Sequence, residues 1–124
     1  MEPASVDLAR ALHWVGGDRR LLRDLGGVFV EEAPGRLAEL KRAAAARDAL
    51  TVERVAHSLK GSAGLLGAAS LQAASTELEE RALAKRVDGV ADLVARVEGE
   101  LERVLAFFRD PAWVQDTSYT RKSI

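Results

Sequence analysis

The chain has 124 residues and a formal net charge of −1, with 48% hydrophobic, 30% charged and only 5% aromatic residues. That length and balance suit one soluble globular domain with a real core. The near-neutral charge leaves no basic excess to grip a phosphate backbone, which argues against nucleic acid as a partner. The lack of cysteine removes disulfides, thiol catalysis and Cys-based zinc sites.

The start, "MEPASVDLAR", lacks the basic and apolar layout of a signal peptide. No apolar run approaches the roughly 20 residues that a membrane span needs, so a cytoplasmic location is the default expectation. Ala, Leu, Val, Arg and Glu dominate, a mix that favours helix over strand.

Leu8, Leu12 and Val15 recur at i, i+4, i+7 and predict a short first helix, with Ser5 or Asp7 as its cap and Gly16-Gly17 as its end. Asp18 then reads as the N-cap of a second helix, with Leu22, Leu25 and Phe29 on one face. Pro34-Gly35 is expected to kink or interrupt it, after which Leu37, Leu40 and Ala44 carry the pattern towards Arg47. Asp48 starts the next helix and Gly67 ends it. Ser70 is expected to begin another, with Leu71, Ala74, Leu78 and Ala82 inward.

Asp88 is expected to cap the last helix. There Val90, Leu93, Val94, Val97, Leu101, Val104, Leu105 and Phe108 form the clearest amphipathic stripe in the chain. Asp110-Pro111 stops it. The periodicity then fails, so residues 111–124 read as an irregular tail or linker after a helical domain at 1–110. Trp113 is left open as a residue that could fold back. No segment alternates like a strand. Long amphipathic helices with short connections predict an all-α fold, an antiparallel four-helix bundle with a short additional N-terminal helix.

One stretch carries chemistry: "HSLKGSAGLLG", His57 to Gly67. At 100° per residue, Val52, Val55, Ala56, Leu59, Ala63 and Leu66 make one stripe, the core face. His57, Gly61 and Gly64 fall on nearly the opposite side, with Lys60 on the flank. A glycine inside a helix costs about 1 kcal/mol relative to alanine, so keeping two beside a histidine suggests that helix stability is given up for access. A neutral imidazole is a good nucleophile near pH 7, and a neighbouring cation points to an anionic electrophile such as a phosphoryl group. Lys60 would then balance charge on the transferring oxygens.

Much else is missing. "GSAGLLG" lacks the lysine and the preceding strand of a phosphate-binding loop, and there are no kinase signatures. His13 and His57 are the only histidines, which excludes a His-rich metal site. The chain reads as one half of a site whose other half a partner supplies.

At these residues the sequence resembles the histidine-containing phosphotransfer (HPt) domains of two-component phosphorelays. The carrying stretch is "AHSLKGSAGLLGA", Ala56 to Ala68, supported by "GGDRRLLRDLGGVFVEE" before it and "LQAASTELEERA" after it. The resemblance covers about residues 5–109.

It implies that His57 accepts the phosphoryl group, that Lys60 assists it, and that Gly61 clears space for a receiver domain, a role that spacing extends to Gly64. It further implies receiver domains of response regulators and a sensor histidine kinase as partners, with no cofactor in this chain and Mg²⁺ on the receiver. The implied protein is a phosphorelay intermediate without kinase activity of its own. Two alternatives stay open: a helical adaptor that binds receivers without exchanging phosphate, and the phospho-accepting domain of a larger chemotaxis-type or hybrid sensor kinase.

Overall fold

The computed structural model describes residues 5–110 and 112–113. Among them are five α-helices and no strand: α1 (Leu8–Trp14), α2 (Arg19–Ala45), α3 (Ala49–Leu65), α4 (Ala69–Leu83) and α5 (Ala91–Arg109). Consecutive long helices are neighbours, and α5 returns to α2, which closes a four-helix ring. The short α1 lies over one end of it. This is the all-α bundle that the apolar spacing predicts.

Three helices start on an aspartate. The carboxylates of Asp7, Asp18 and Asp48 accept the backbone N–H groups of Arg10, Leu21 and Thr51 at 3.1, 3.1 and 3.2 Å. Each satisfies a donor that the first turn leaves orphaned, worth about 1 kcal/mol. The Thr51 hydroxyl also donates to Asp48, and together these bonds hold that carboxyl below its ordinary range.

Helices α1 to α4 all end in a left-handed residue. Gly16, Arg47, Gly67 and Lys85 have φ of +66°, +56°, +71° and +58°. In each case the next N–H reaches back to a carbonyl of the last turn, as Ala68 does to Ala63 at 2.8 Å. Two of these ends use glycine, which bears the geometry without penalty, and two force a cationic side chain into it.

The inward residues sit where the spacing puts them. Leu22, Leu40, Leu59, Leu71, Leu78 and Leu101 are fully buried, and the six-residue apolar stripe of α3 lies wholly in the core. Gly26 permits a close α2–α5 approach, because a Cβ there would fall 2.4 Å from the Phe108 ring.

Three local expectations change. Pro34 does not interrupt α2, which runs through it as one helix. An interior proline costs about 3 kcal/mol, but Pro34 is exposed while Phe29, Ala33 and Leu40 on either side anchor both halves in the core. Ser70 does not begin α4. The tight turn starts the helix at Ala69, with no side-chain cap. Asp88 does not cap α5, which begins after Val90. Its carboxylate pairs with Arg47 instead, and its carbonyl accepts from Arg81.

Trp113, beyond the expected boundary at 110, is buried. Its indole stacks on Phe107 at 5.8 Å and meets Phe108 edge-on, and its carbonyl accepts from Arg19 at 2.8 Å. Residues 111 and 114–124 lie outside the described residues. A chain ending at Asp110 is expected to lose about 3 kcal/mol, the low end for removing a buried aromatic. Chemical denaturation of the two lengths checks this, and equal stability would show that Trp113 contributes nothing.

Candidate functional site

The site is built on the α3–α4 hairpin. Two antiparallel helices joined by a tight turn bring residues equidistant from the turn to the same height, because each residue rises 1.5 Å. His57 lies 11 residues before Ala68 and Glu79 lies 11 after it. The two side chains meet: Nδ1 of His57 is 2.6 Å from Oε2 of Glu79. Lys60, one turn on from His57, places its ammonium 2.6 Å from Oε1 of the same carboxylate.

Exposure divides the three residues into roles. The His57 side chain is 66% exposed and that of Glu79 only 9%. The Lys60 side chain, 32% exposed, closes the flank. Glu79 is thus a carboxylate held under the surface, with a donor on each oxygen. Its carboxyl sits below the ordinary glutamate range, chiefly because Lys60 donates to it and further because His57 does, while burial pulls the other way.

An ionised carboxylate has no proton to give, so the hydrogen in the 2.6 Å contact belongs to Nδ1 of His57. That fixes the ring. Nδ1 points down at Glu79, and Nε2 is left for whatever approaches from outside.

The structure separates the two glycines. A Cβ at Gly61, one turn beyond His57, would meet nothing within 4 Å. The position is open, as its outward placement predicts. Gly64 differs. A Cβ there would fall 2.8 Å from Nε2 of Gln72 on α4, so its bare side faces the neighbouring helix rather than open solvent. Two α3 residues further round from the histidine have their own surroundings. Ser62 accepts from Arg36 at 3.4 Å. Leu65 is 43% exposed and borders, with Leu25, Val28 and Phe29, a shallow apolar depression between α2 and α3. His13, the other histidine, is on α1 with its ring edge-on to Trp14.

The family model described as Hpt domain matches residues 24–107, a span that holds the histidine, both of its ionic neighbours and all of α3 and α4. The chain belongs to the Hpt domain family. No curated protein and no solved structure matches it. Membership implies histidine phosphotransfer in phosphorelays, carried out by a module that is not itself a kinase. No helix among the described residues of this Hpt domain is long and apolar enough to cross a membrane.

Glu79 is the residue that the sequence reading passed over. It enters there only inside the stretch that resembles the family. The available signal is geometric: an acid at the edge of the α4 apolar stripe, as far past the turn as His57 is before it.

The glycine geometry makes a direct forecast. Gly61→Gln places a better helix former in open space and is expected to raise stability by up to about 1 kcal/mol. Gly64→Gln must first displace the Gln72 side chain and is expected to show no comparable gain. Thermal melts of the two variants check this, and equal gains at both positions would contradict the packing contact at Gly64.

Proposed function

We propose that His57 accepts a phosphoryl group on Nε2 and exchanges it with the aspartates of response-regulator receiver domains, as an intermediate in a phosphorelay. The observation that carries this is the oriented ring. Nδ1 is tied to a buried carboxylate, while the side chain is exposed beside open backbone at Gly61.

The chemistry follows from that orientation. The Nε2 lone pair attacks phosphorus of an aspartyl phosphate. The N–P bond forms, the P–O bond to the aspartate breaks, and the carboxylate leaves with its electron pair. No proton has to move. The ring becomes cationic with hydrogen still on Nδ1, and Glu79 accepts that charge-strengthened hydrogen bond, worth roughly 1.5–3 kcal/mol. The return step reverses these events. Glu79 therefore favours the state in which charge develops on the ring, as a preorganised group should. Mg²⁺ is expected on the receiver, which would also supply the acidic groups around its aspartate.

Access supports the same reading. The receiver must bring a carboxylate to the imidazole, and the open surface at Gly61 lets it come close. The apolar side chains of Val28 and Leu65, half exposed at the α2–α3 depression, suit a protein partner. A sensor histidine kinase, whether separate or hybrid, is the expected ultimate source of phosphate.

Incubation with receiver domains phosphorylated by acetyl phosphate is expected to place acid-labile label on this chain. His57→Gln is expected to abolish it while helicity and melting stay near wild type. His13→Gln should leave it intact. Label that persists in the His57 variant would overturn the assignment, and receiver binding without any label would favour a non-exchanging adaptor.

A further inference from the structure

Gly64 faces α4 and not open solvent, so it needs another reason than the clearance at Gly61. A glycine inside a helix costs about 1 kcal/mol relative to alanine. The backbone does not ask for it, since only Gly16, Gly17, Gly67 and Gly89 among the described glycines have left-handed φ. Space does: an added Cβ would lie 2.8 Å from Nε2 and 3.5 Å from Cδ of Gln72. Gly64 and Gln72 stand four residues either side of Ala68, so the hairpin brings them level. The bare turn of α3 is filled by a carboxamide from α4.

Two facts about that carboxamide point outward. It makes no hydrogen bond among the described residues, and the Thr76 hydroxyl donates to the Gln72 main-chain carbonyl instead, at 2.8 Å. Nor is it sealed from water, because Ser75 alone among those residues has a buried side-chain polar atom without a partner. The amide reaches the surface with two donors and an acceptor unused by the protein. Gly64 is seven residues on from His57, two helical turns, so the amide overlies the histidine's own face about 10 Å away. Open backbone at Gly61 lies between them. A partner that crosses Gly61 to reach Nε2 meets this amide next.

We propose that Gly64 is the seat of the Gln72 side chain, and that Gln72, held there, is a docking residue whose amide hydrogen-bonds main-chain groups of the incoming receiver beside its aspartate. The proposal rests on the reading of His57 as phospho-acceptor and adds a contact on the same face. Main chain is the fitting counterpart. A carboxamide pairs with an N–H and a C=O at once, and loops, which commonly carry reactive residues, expose both. A charged receiver side chain would be met better by a charged residue. The seat matters because a glutamine loose on the surface has rotamers to lose on binding. Gln72, leaning on bare backbone, has given up some of them before the partner arrives.

The test is a double-mutant cycle of Gly64→Ala, Gln72→Ala and the pair, with Gln72→Met as a variant that keeps the length and loses the hydrogen bonds. Circular dichroism checks that each is folded. Two activities are read on the intact chain. One is the initial rate of His57 labelling by phosphoramidate, a small donor that needs no partner. The other is transfer from the receiver domain that labels wild type best, phosphorylated with acetyl phosphate and followed over a range of receiver concentrations.

Phosphoramidate labelling is expected to stay within about twofold of wild type in every variant, because the chemistry at His57 is untouched. With the receiver, Gln72→Ala and Gln72→Met are expected to raise KM by about fivefold while kcat changes less than about twofold, the mark of one or two neutral hydrogen bonds made on docking. Gly64→Ala is expected to raise KM in the same way, because its Cβ pushes the amide off its seat. Added to Gln72→Ala, it should change KM by less than about twofold. Two other readings predict different patterns. If Gly64 clears space for the receiver itself, Gly64→Ala raises KM by the same factor in both backgrounds. If the pair only packs the helices, Gln72→Met leaves KM unchanged. Either result overturns the proposal. Should Gly64→Ala not fold, the KM of Gln72→Met still decides it. A wild type that no receiver labels defeats the phosphotransfer reading and this proposal with it. A labelled wild type with an unchanged KM in Gln72→Met defeats this proposal alone.

Discussion

The turn at Gly67 is the constraint from which the site follows. Its left-handed backbone lets Gly67 and Ala68 satisfy the carbonyls of Gly64 and Ala63, leaving three residues between the end of α3 and the start of α4. The space is as tight as the dihedral. A Cβ on Gly67 would fall 2.5 Å from the Asp7 carbonyl, and the Gly67 carbonyl itself accepts the Asp7 N–H at 2.8 Å. So the segment that caps α1 also pins the hairpin. Only glycine meets both demands. With the connection this short, the register of α3 against α4 is fixed, and His57 and Glu79 are brought level.

Given that register, two environments coexist on one helix turn. The inner face of α3 is sealed in the core by Leu59 and Ala63, and the outer face is bare at Gly61. Between them, at the α4 edge, lies the carboxylate that holds the ring. A histidine that is simply exposed would sample both tautomers and several rotamers. A fully buried one could not meet a partner. The arrangement here keeps one ring nitrogen in the protein and the other in solvent, which suits a residue that must receive and release a group without carrying other catalytic machinery. The helical bundle serves as a rigid frame for this, since the site stands on two helices and not on a loop.

The bundle was largely legible in the sequence because its signals are local. The aspartate caps at positions 7, 18 and 48, the glycine stops at 16 and 67, and the apolar stripes of α3 and α5 all appear in the structure where spacing puts them. What the sequence hid depends on tertiary context. Helix ends at Arg47 and Lys85 adopt a glycine-like backbone with no glycine to announce it. Pro34 is overruled by core contacts on both sides. Trp113 gains its place from contacts such as those with Phe107, Phe108 and Arg19, which its position in the sequence does not announce. At the site, His57, Lys60 and Gly61 are visible as one helix face, but the role of Glu79 is not, because it belongs to another helix and becomes a partner only once the turn sets the register.

The central claim is that Glu79 assigns the two ring nitrogens of His57 different tasks. The most direct measurement is the position of the phosphoryl group on the ring. It can be read from ¹⁵N–³¹P couplings in phosphorylated protein with ¹⁵N-labelled histidine. Phosphorus bonded to Nε2 of His57, with hydrogen retained on Nδ1, is the predicted result. Phosphorus bonded to Nδ1 would require the Glu79 hydrogen bond to break before transfer, and would contradict the account.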